Sequence, residues 1–245
     1  HENYNYGGSA DNGTEGTGIG IDDYCGDVVV RGNRCYRNEG GGIQCNPNGA
    51  GGTVTVEGNL LIDNYRVDAT RAAAAGWQAT SHVFAQISLG DTQNNMLVRG
   101  NTLISNNVST CWYGVSENNG AAGTGTDVRN NTIVGHSVAG LKVRTGITRT
   151  HNAFSGNAKN VESNADTTTL SDGTSAVTAA PLLTSTGVPM TSSPVIGAGT
   201  HLGYTTDNDR RQRSNPPSIG AYEGPVTRTA ATARTDAGRT AMATN

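Results

Sequence analysis

Apolar and polar residues alternate in five short segments that are copies of one another. The segments are Val28-Val29-Val30-Arg31-Gly32-Asn33, Val54-Thr55-Val56-Glu57-Gly58-Asn59, Met96-Leu97-Val98-Arg99-Gly100-Asn101, Thr126-Asp127-Val128-Arg129-Asn130-Asn131 and, more weakly, Ile147-Thr148-Arg149-Thr150-His151-Asn152. Each has the two-residue period of a strand and ends in a small or polar residue followed by Asn. A strand that recurs with no helical pattern between copies predicts a solenoid of strands. The terminal asparagines are spaced by 26, 42, 30 and 21 residues. The long gap therefore holds either one extra coil or a loop inserted into a single coil.

Setting the asparagines in register exposes columns. Val30, Val56, Val98 and Val128 lie three places before Asn, and Val28, Val54, Met96, Thr126 and Ile147 five places before. Cys35, Leu61, Leu103, Ile133 and Phe154 lie two places after it. Their shared parity assigns them to the interior. The column Arg31, Glu57, Arg99 and Arg129 has the opposite parity and is expected in solvent, with Arg31 and Glu57 able to pair across coils. The asparagines should turn the chain through left-handed backbone angles and stack their amides. A second ladder is expected at Asn38, Asn64, Asn106 and Asn157, with His136 in an amide-like structural role at the equivalent place.

Each coil also holds a second strand, usually opened by Gly and a branched residue. The copies are Gly20-Ile21-Asp22-Asp23, Gly42-Ile43-Gln44-Cys45-Asn46, Gly114-Val115-Ser116-Glu117-Asn118 and Gly140-Leu141-Lys142-Val143-Arg144, with Ala85-Gln86-Ile87-Ser88 supplying the coil in the long gap. The residue after the branched one should face out. Stacking then gives an exposed row of Asp22, Gln44, Ser88, Ser116 and Lys142, flanked by Asn46, Asn118 and Arg144. Tyr24, Tyr65, Trp77, Trp112 and Tyr113 lie beside it in sequence. Such a row suits a sugar chain, whose hydroxyls need donors and acceptors and whose rings stack on aromatics. Gln44, Asn46, Ser88, Ser116, Asn118, Trp112, Tyr113 and Tyr24 are the substrate-binding candidates. The plain alternative is a solvated sheet face with no ligand.

Composition narrows the picture. A chain of 245 residues can hold one domain with a real core. The apolar share is only 34%, with 34 glycines, but a narrow solenoid needs only thin apolar stripes. A net charge of −3 offers no broad basic surface, so nucleic acid is not an expected partner. No apolar run is long enough to span a membrane. Cys25, Cys35, Cys45 and Cys111 read as buried small hydrophobes, or as one Cys25–Cys45 disulfide between neighbouring coils; no CxxC pair points to zinc. The expected divisions are a lead-in or partial cap over 1–17, coils over 18–160, a closing segment over 161–224 and a linker or disordered tail over 225–245. His1 opens the chain, so a processed product or fragment is expected. The first coil then needs a cover from residues 1–17, from a missing N-terminal region or from further copies.

The repeated columns and asparagine ladders resemble the right-handed parallel β-helix of the pectate-lyase-like superfamily, over roughly residues 18 to 160. Ser193-Pro194-Val195-Ile196-Gly197-Ala198-Gly199, the Asp207, Asp209, Arg211 and Arg213 stretch, and Ile219-Gly220-Ala221-Tyr222-Glu223 are similar to the closing segment of many secreted bacterial β-helix proteins. The resemblance implies an all-β, right-handed parallel β-helix solenoid of about six or seven coils with asparagine ladders, and an extracellular location. It does not specify an activity, because this fold carries enzymes, adhesins and phage spikes alike.

Two catalytic schemes follow. In a lyase, a base removes the proton beside a uronate carboxylate and a cation stabilises the resulting charge. Lys142 and Arg144 resemble the Lys and Arg of alginate and chondroitin lyases of this fold. In a hydrolase, two carboxylates flank the scissile bond. Asp22 and Asp23, in Gly-Ile-Asp-Asp-Tyr-Cys, are similar to the Asp-Asp of polygalacturonases. No cofactor is required by either scheme, and calcium near Asp11 or at Asp207 to Asp209 is a candidate addition. The leading expectation is an extracellular polysaccharide lyase or glycoside hydrolase with a polysaccharide partner. The rival is a non-catalytic adhesin, spike or decoration module.

Overall fold

The computed structural model describes residues 17–22, 26–38, 40–46, 52–64, 85–90, 95–106, 111–117 and 125–225. The lead-in up to residue 16, the tail beyond Pro225, and Asp11, Asp23, Tyr24, Cys25, Tyr65, Trp77 and Asn118 lie outside these residues, and with Cys25 the proposed disulfide. Every regular element described is a strand. The first coil contains β1 (Ile19–Asp22), β2 (Val28–Arg31) and β3 (Arg34–Tyr36). The second contains β4 (Ile43–Asn46), β5 (Thr53–Glu57) and β6 (Leu60–Ile62), and the third β7 (Ala85–Leu89), β8 (Asn95–Arg99) and β9 (Thr102–Ile104). The fourth contains β10 (Tyr113–Glu117), β11 (Asp127–Arg129) and β12 (Thr132–Val134), and the fifth β13 (Ala139–Val143), β14 (Thr148–Thr150) and β15 (Ala153–Ser155). A sixth opens with β16 (Val161–Ser163).

Every third strand pairs in parallel, giving sheet A (β1-β4-β7-β10-β13-β16), sheet B (β14-β11-β8-β5-β2) and sheet C (β15-β12-β9-β6-β3). This is a parallel β-helix. Val30, Val56, Val98 and Val128 are direct neighbours, as are Cys35, Leu61, Leu103, Ile133 and Phe154. All of them lie in one buried core along the bore. The 42-residue gap is a single coil, because Asn59 bonds Asn101 directly. Arg149 takes the valine position beside Val128 in the fifth coil and ends the stripe, donating to the carbonyls of Arg144 and Ile147. Leu170 and Ala176 pack on the same end, and Thr174 and Val177 bridge to Thr150 and Ala153.

The first ladder is complete. Asn59, Asn101, Asn131 and Asn152 each accept from the backbone N–H and the amide of the ladder asparagine one coil earlier. Each also donates to the carbonyl of a core valine: Val30, Val56, Val98 or Val128. The left-handed angle, however, falls on the residue before the ladder asparagine. Gly32, Gly58, Gly100, Asn130 and His151 have φ of 69°, 64°, 64°, 55° and 52°. The preceding residue makes the turn and leaves the asparagine free to bond inward.

The second ladder departs from expectation at Asn106. That side chain is exposed and donates to Asp63. Gln86 substitutes from the following strand: its Oε1 accepts from Asn64 at 2.7 Å and its Nε2 donates to Ile104 O at 2.8 Å. The corner residue before Asn106 is Ser105, which lacks the left-handed angle of Arg37, Asp63, Gly135 and Gly156 in the other coils.

In the column Arg31, Glu57, Arg99 and Arg129, Arg31 is exposed as expected, Arg99 and Arg129 are partly covered, and Glu57 is buried. Residues 181–224 run back along the outside of the coils as a strap. Tyr204 lies beneath the guanidiniums of Arg31 and Arg213, 5.6 and 4.8 Å from its ring centroid. Glu57 is 1% exposed and binds both Arg31 and Arg99. Ala221 and Tyr222 pack on Leu60, Ile62 and Ile104, and Val195 and Ile219 on Ala153. The strap has its own buried charge centre. Glu223 accepts from Arg213, Ser218 and Ser214, while Asp207 accepts the backbone N–H groups of Asp209, Arg211 and Glu223.

Candidate functional site

The outer side of sheet A brings the candidate residues together. At its entry corner the glycines face the bore. A Cβ on Gly114 would lie 2.6 Å from both Ile133 Cγ2 and Gly140 O, and one on Gly140 would meet Phe154 Cδ1 at 3.1 Å. Val115 and Leu141, the next residues, also belong to the bore core. The chain therefore bends between the two, and alternation resumes afterwards with Ser116 and Lys142 outward. Tyr113, just before Gly114, sits with Ala85, Ala139, Trp112 and Val138 in a cluster separate from the bore.

Register fixes the row as Gly20, Gln44, Ser88, Ser116, Lys142 and Glu162. Gln44, Ser88, Ser116 and Lys142 thus stand in line as the sequence suggests. Asp22 does not, since β1 is displaced by two residues and sets Asp22 beside Asn46. Gly20 occupies the place expected for Asp22. The row is also not an open face. Ser116 is 0% exposed and Lys142 4%, with Ser88 and Glu162 buried as well. Gln44 is only partly exposed and accepts from Thr17 Oγ1 at 3.1 Å.

Lys142 is the chemically unusual member. Its Nζ lies 5.1 Å from the Tyr113 ring centroid, so the cation occupies an aromatic face that a sugar would otherwise stack on. Burial pulls the Lys142 pKa below the ordinary lysine value, and the carboxylate of Glu162 on β16 partly opposes that. The Tyr113 phenol is pushed the other way, upward, first by burial and then by Glu162. Glu162 accepts from Lys159 Nζ at 2.7 Å, and Lys159 also donates to Thr167 O.

Arg144 is not a second cation beside Lys142. It follows β13 and turns to Glu117: its guanidinium binds Oε1, and its backbone N–H donates to Oε2 at 3.0 Å. Glu117 on β10 is buried and also receives Thr126 Oγ1. The two oxygens of Asp207 are engaged by backbone groups and Asp209 pairs with Arg34 and Arg211. Among the described residues no three His, Cys, Asp or Glu side chains converge as metal ligands.

A family model for a right-handed β-helix region matches residues 8–103. The fold is a right-handed parallel β-helix. The match spans less than half of the chain, and it carries architecture without a reaction. Neither the curated proteins nor the solved structures contain a match to this chain. Among the described residues no helix is long and apolar enough to cross a membrane.

Glu162 and Lys159 are the members that sequence reasoning passed over. Val161-Glu162 repeats the pattern of a branched residue followed by an outward polar one, but Asn160 stands where most of the other strands open with Gly. Reading the pair without the glycine would have extended the row by one strand.

Proposed function

We propose that this protein is an extracellular carbohydrate-active β-helix protein that cleaves a complex, uronate-bearing polysaccharide at the outer side of sheet A. The observation that carries the reading is Lys142, whose ammonium is held against Tyr113, next to Glu162, with its pKa lowered by burial. Two neighbouring groups displaced in opposite directions suit acid–base work. Lys142 more readily exists as the free amine, and Tyr113 keeps its proton. In a β-elimination the amine takes the proton from the carbon beside the uronate carboxylate. The electron pair becomes the new C=C bond as the C–O bond to the leaving sugar breaks, and the Tyr113 phenol protonates the leaving oxygen. Gln44, in line with Ser88 and partly exposed, is available for sugar hydroxyls, with Asp22 and Asn46 paired two residues further along the strands.

A second reading is a non-catalytic surface or virion module in which the solenoid is a rigid spacer. It is favoured by the burial of Ser88 and Ser116 and by the Arg144–Glu117 pair, which leave the row closed and its charges satisfied. One assay separates the two. The protein is incubated with uronate and neutral glycans while unsaturated-uronate absorbance and reducing ends are followed. The lyase reading expects a rise in both that is lost in Lys142→Ala and falls at least about tenfold in Tyr113→Phe. Reducing ends without absorbance, lost in Asp22→Ala or Asp23→Ala, transfer the reaction to hydrolysis. Silence on every glycan, with multimers on sizing, selects the spacer.

A further inference from the structure

We infer that His136 is an acid-operated latch at the corner between sheets C and A, holding the fourth coil closed as a neutral ladder residue and releasing it when protonated.

The geometry is specific to this coil. In the second ladder Asn38, Asn64, Gln86 and Asn157 are uncharged amides, and His136 is the titratable member. Its backbone N–H donates to Asn157 Oδ1 at 2.9 Å, and its Nδ1 lies 3.1 Å from the same oxygen. An amide oxygen only accepts, so Nδ1 carries the proton and Nε2 is left with a lone pair. Nε2 is fully buried and has no hydrogen-bond partner among the described residues. The ring fits because Gly114 has no Cβ; one there would approach His136 Cε1 to 3.3 Å.

Protonation would place a charged N–H at Nε2 in a buried corner that offers it no acceptor among the described residues. Among the described residues the charged or titratable groups around the ring are few. Asp63, at the end of β6, favours the imidazolium, but its carboxylate is occupied by the N–H and amide of Asn106. Cys111, just before β10, is a buried thiol whose pKa burial raises, so it stays neutral through the acid range. Asn157 and Ser137 carry no charge. Burial accordingly lowers the His136 pKa to about 4, with the Asn157 bond and Asp63 opposing it.

The sign follows from that depression. The opened corner binds a proton with the ordinary histidine affinity near 6.5, and the closed one only near 4. The latch is at full strength above about 6.5 and weakens as pH falls toward 4, with opening rising up to about tenfold per pH unit. Gly140 and Leu141 follow within five residues and bond to Lys159 O and Asn160 O, so the opening reaches the strand that carries Lys142.

Hydrogen exchange of the full chain between pH 7 and 4, corrected for intrinsic rates, tests the latch. The amides of residues 135–141 should lose protection up to about tenfold per pH unit more than those of Asn59, Asn101 and Asn131, whose ladder has no titratable member. His136→Asn, which restores the amide, should remove the difference. Equal pH slopes at both ladders, or an unchanged slope in His136→Asn, overturn the inference. Should that variant fail to fold, NMR titration of the His136 ring in the native protein decides: an apparent pKa near 4 supports the latch, and one near 6.5 refutes it.

Discussion

Asn101 and Asn106 stand five residues apart and have different environments. Asn101 is buried, accepts from Asn59, and donates to Val56 O and Asn131 Oδ1. Asn106 is exposed against Asp63, and Gln86 has its ladder place. Asn101→Ala is expected to cost about 2–4 kcal/mol, since it strips partners from several buried groups at once. Gln86→Ala should cost about 1–3 kcal/mol, because it removes two buried hydrogen bonds, although Asn64 Nδ2 keeps Cys35 O and Ile104 O keeps the Asp63 N–H. Asn106→Ala should change stability by less than about 0.5 kcal/mol. Urea denaturation of the three variants reads all of these, and a costly Asn106→Ala with a silent Gln86→Ala would reverse the assignment. The asparagine spacing was legible in the sequence. The substitution by Gln86 was not, because it comes from the next strand and requires knowing how far that side chain reaches.

At the scale of elements, the sheet A strands depend on their entry glycines and the strap on its buried pair. Gly114→Ala drives a methyl into Ile133 and the Gly140 carbonyl, and is expected to cost about 1–3 kcal/mol. The loss should appear in thermal unfolding and as lowered protection of β10 and β13. The strap is anchored differently. Arg213 and Glu223 form an ion pair with side chains 3% and 5% exposed, and Glu223 also accepts from Ser218 and Ser214. Glu223→Ala leaves a buried guanidinium uncompensated, so a loss of about 3–5 kcal/mol is expected. Limited proteolysis should then cut within residues 181–224 while the coils persist; simultaneous loss of both would show that strap and coils unfold together. Alternation along a strand told which way Lys142 faces. It did not tell that the face is closed, because burial depends on what else packs there.

At the scale of the whole molecule, the described coils share one buried apolar bore. Cys35 lies in that bore and Cys111 is buried just before β10; both are free thiols, and burial raises the pKa of Cys35 to about 11 and that of Cys111 further still. Both thiols should therefore resist iodoacetamide at pH 8 in the native state and react on unfolding, as mass spectrometry of the alkylated protein will show. Rapid native labelling of either would show that it is accessible in solution.

Periodicity alone determined the path of the coils, the valine stripe and the first amide ladder, because each coil repeats the same contacts with its neighbours and the repeat is written in the residues. Tertiary structure decided everything that depends on non-repeating neighbours. It buried Glu57 under Tyr204 and exchanged Asn106 for Gln86. It also joined Arg144 to Glu117 and set Lys142 over the Tyr113 ring. Those contacts join segments of unlike sequence, so no column of the repeat records them.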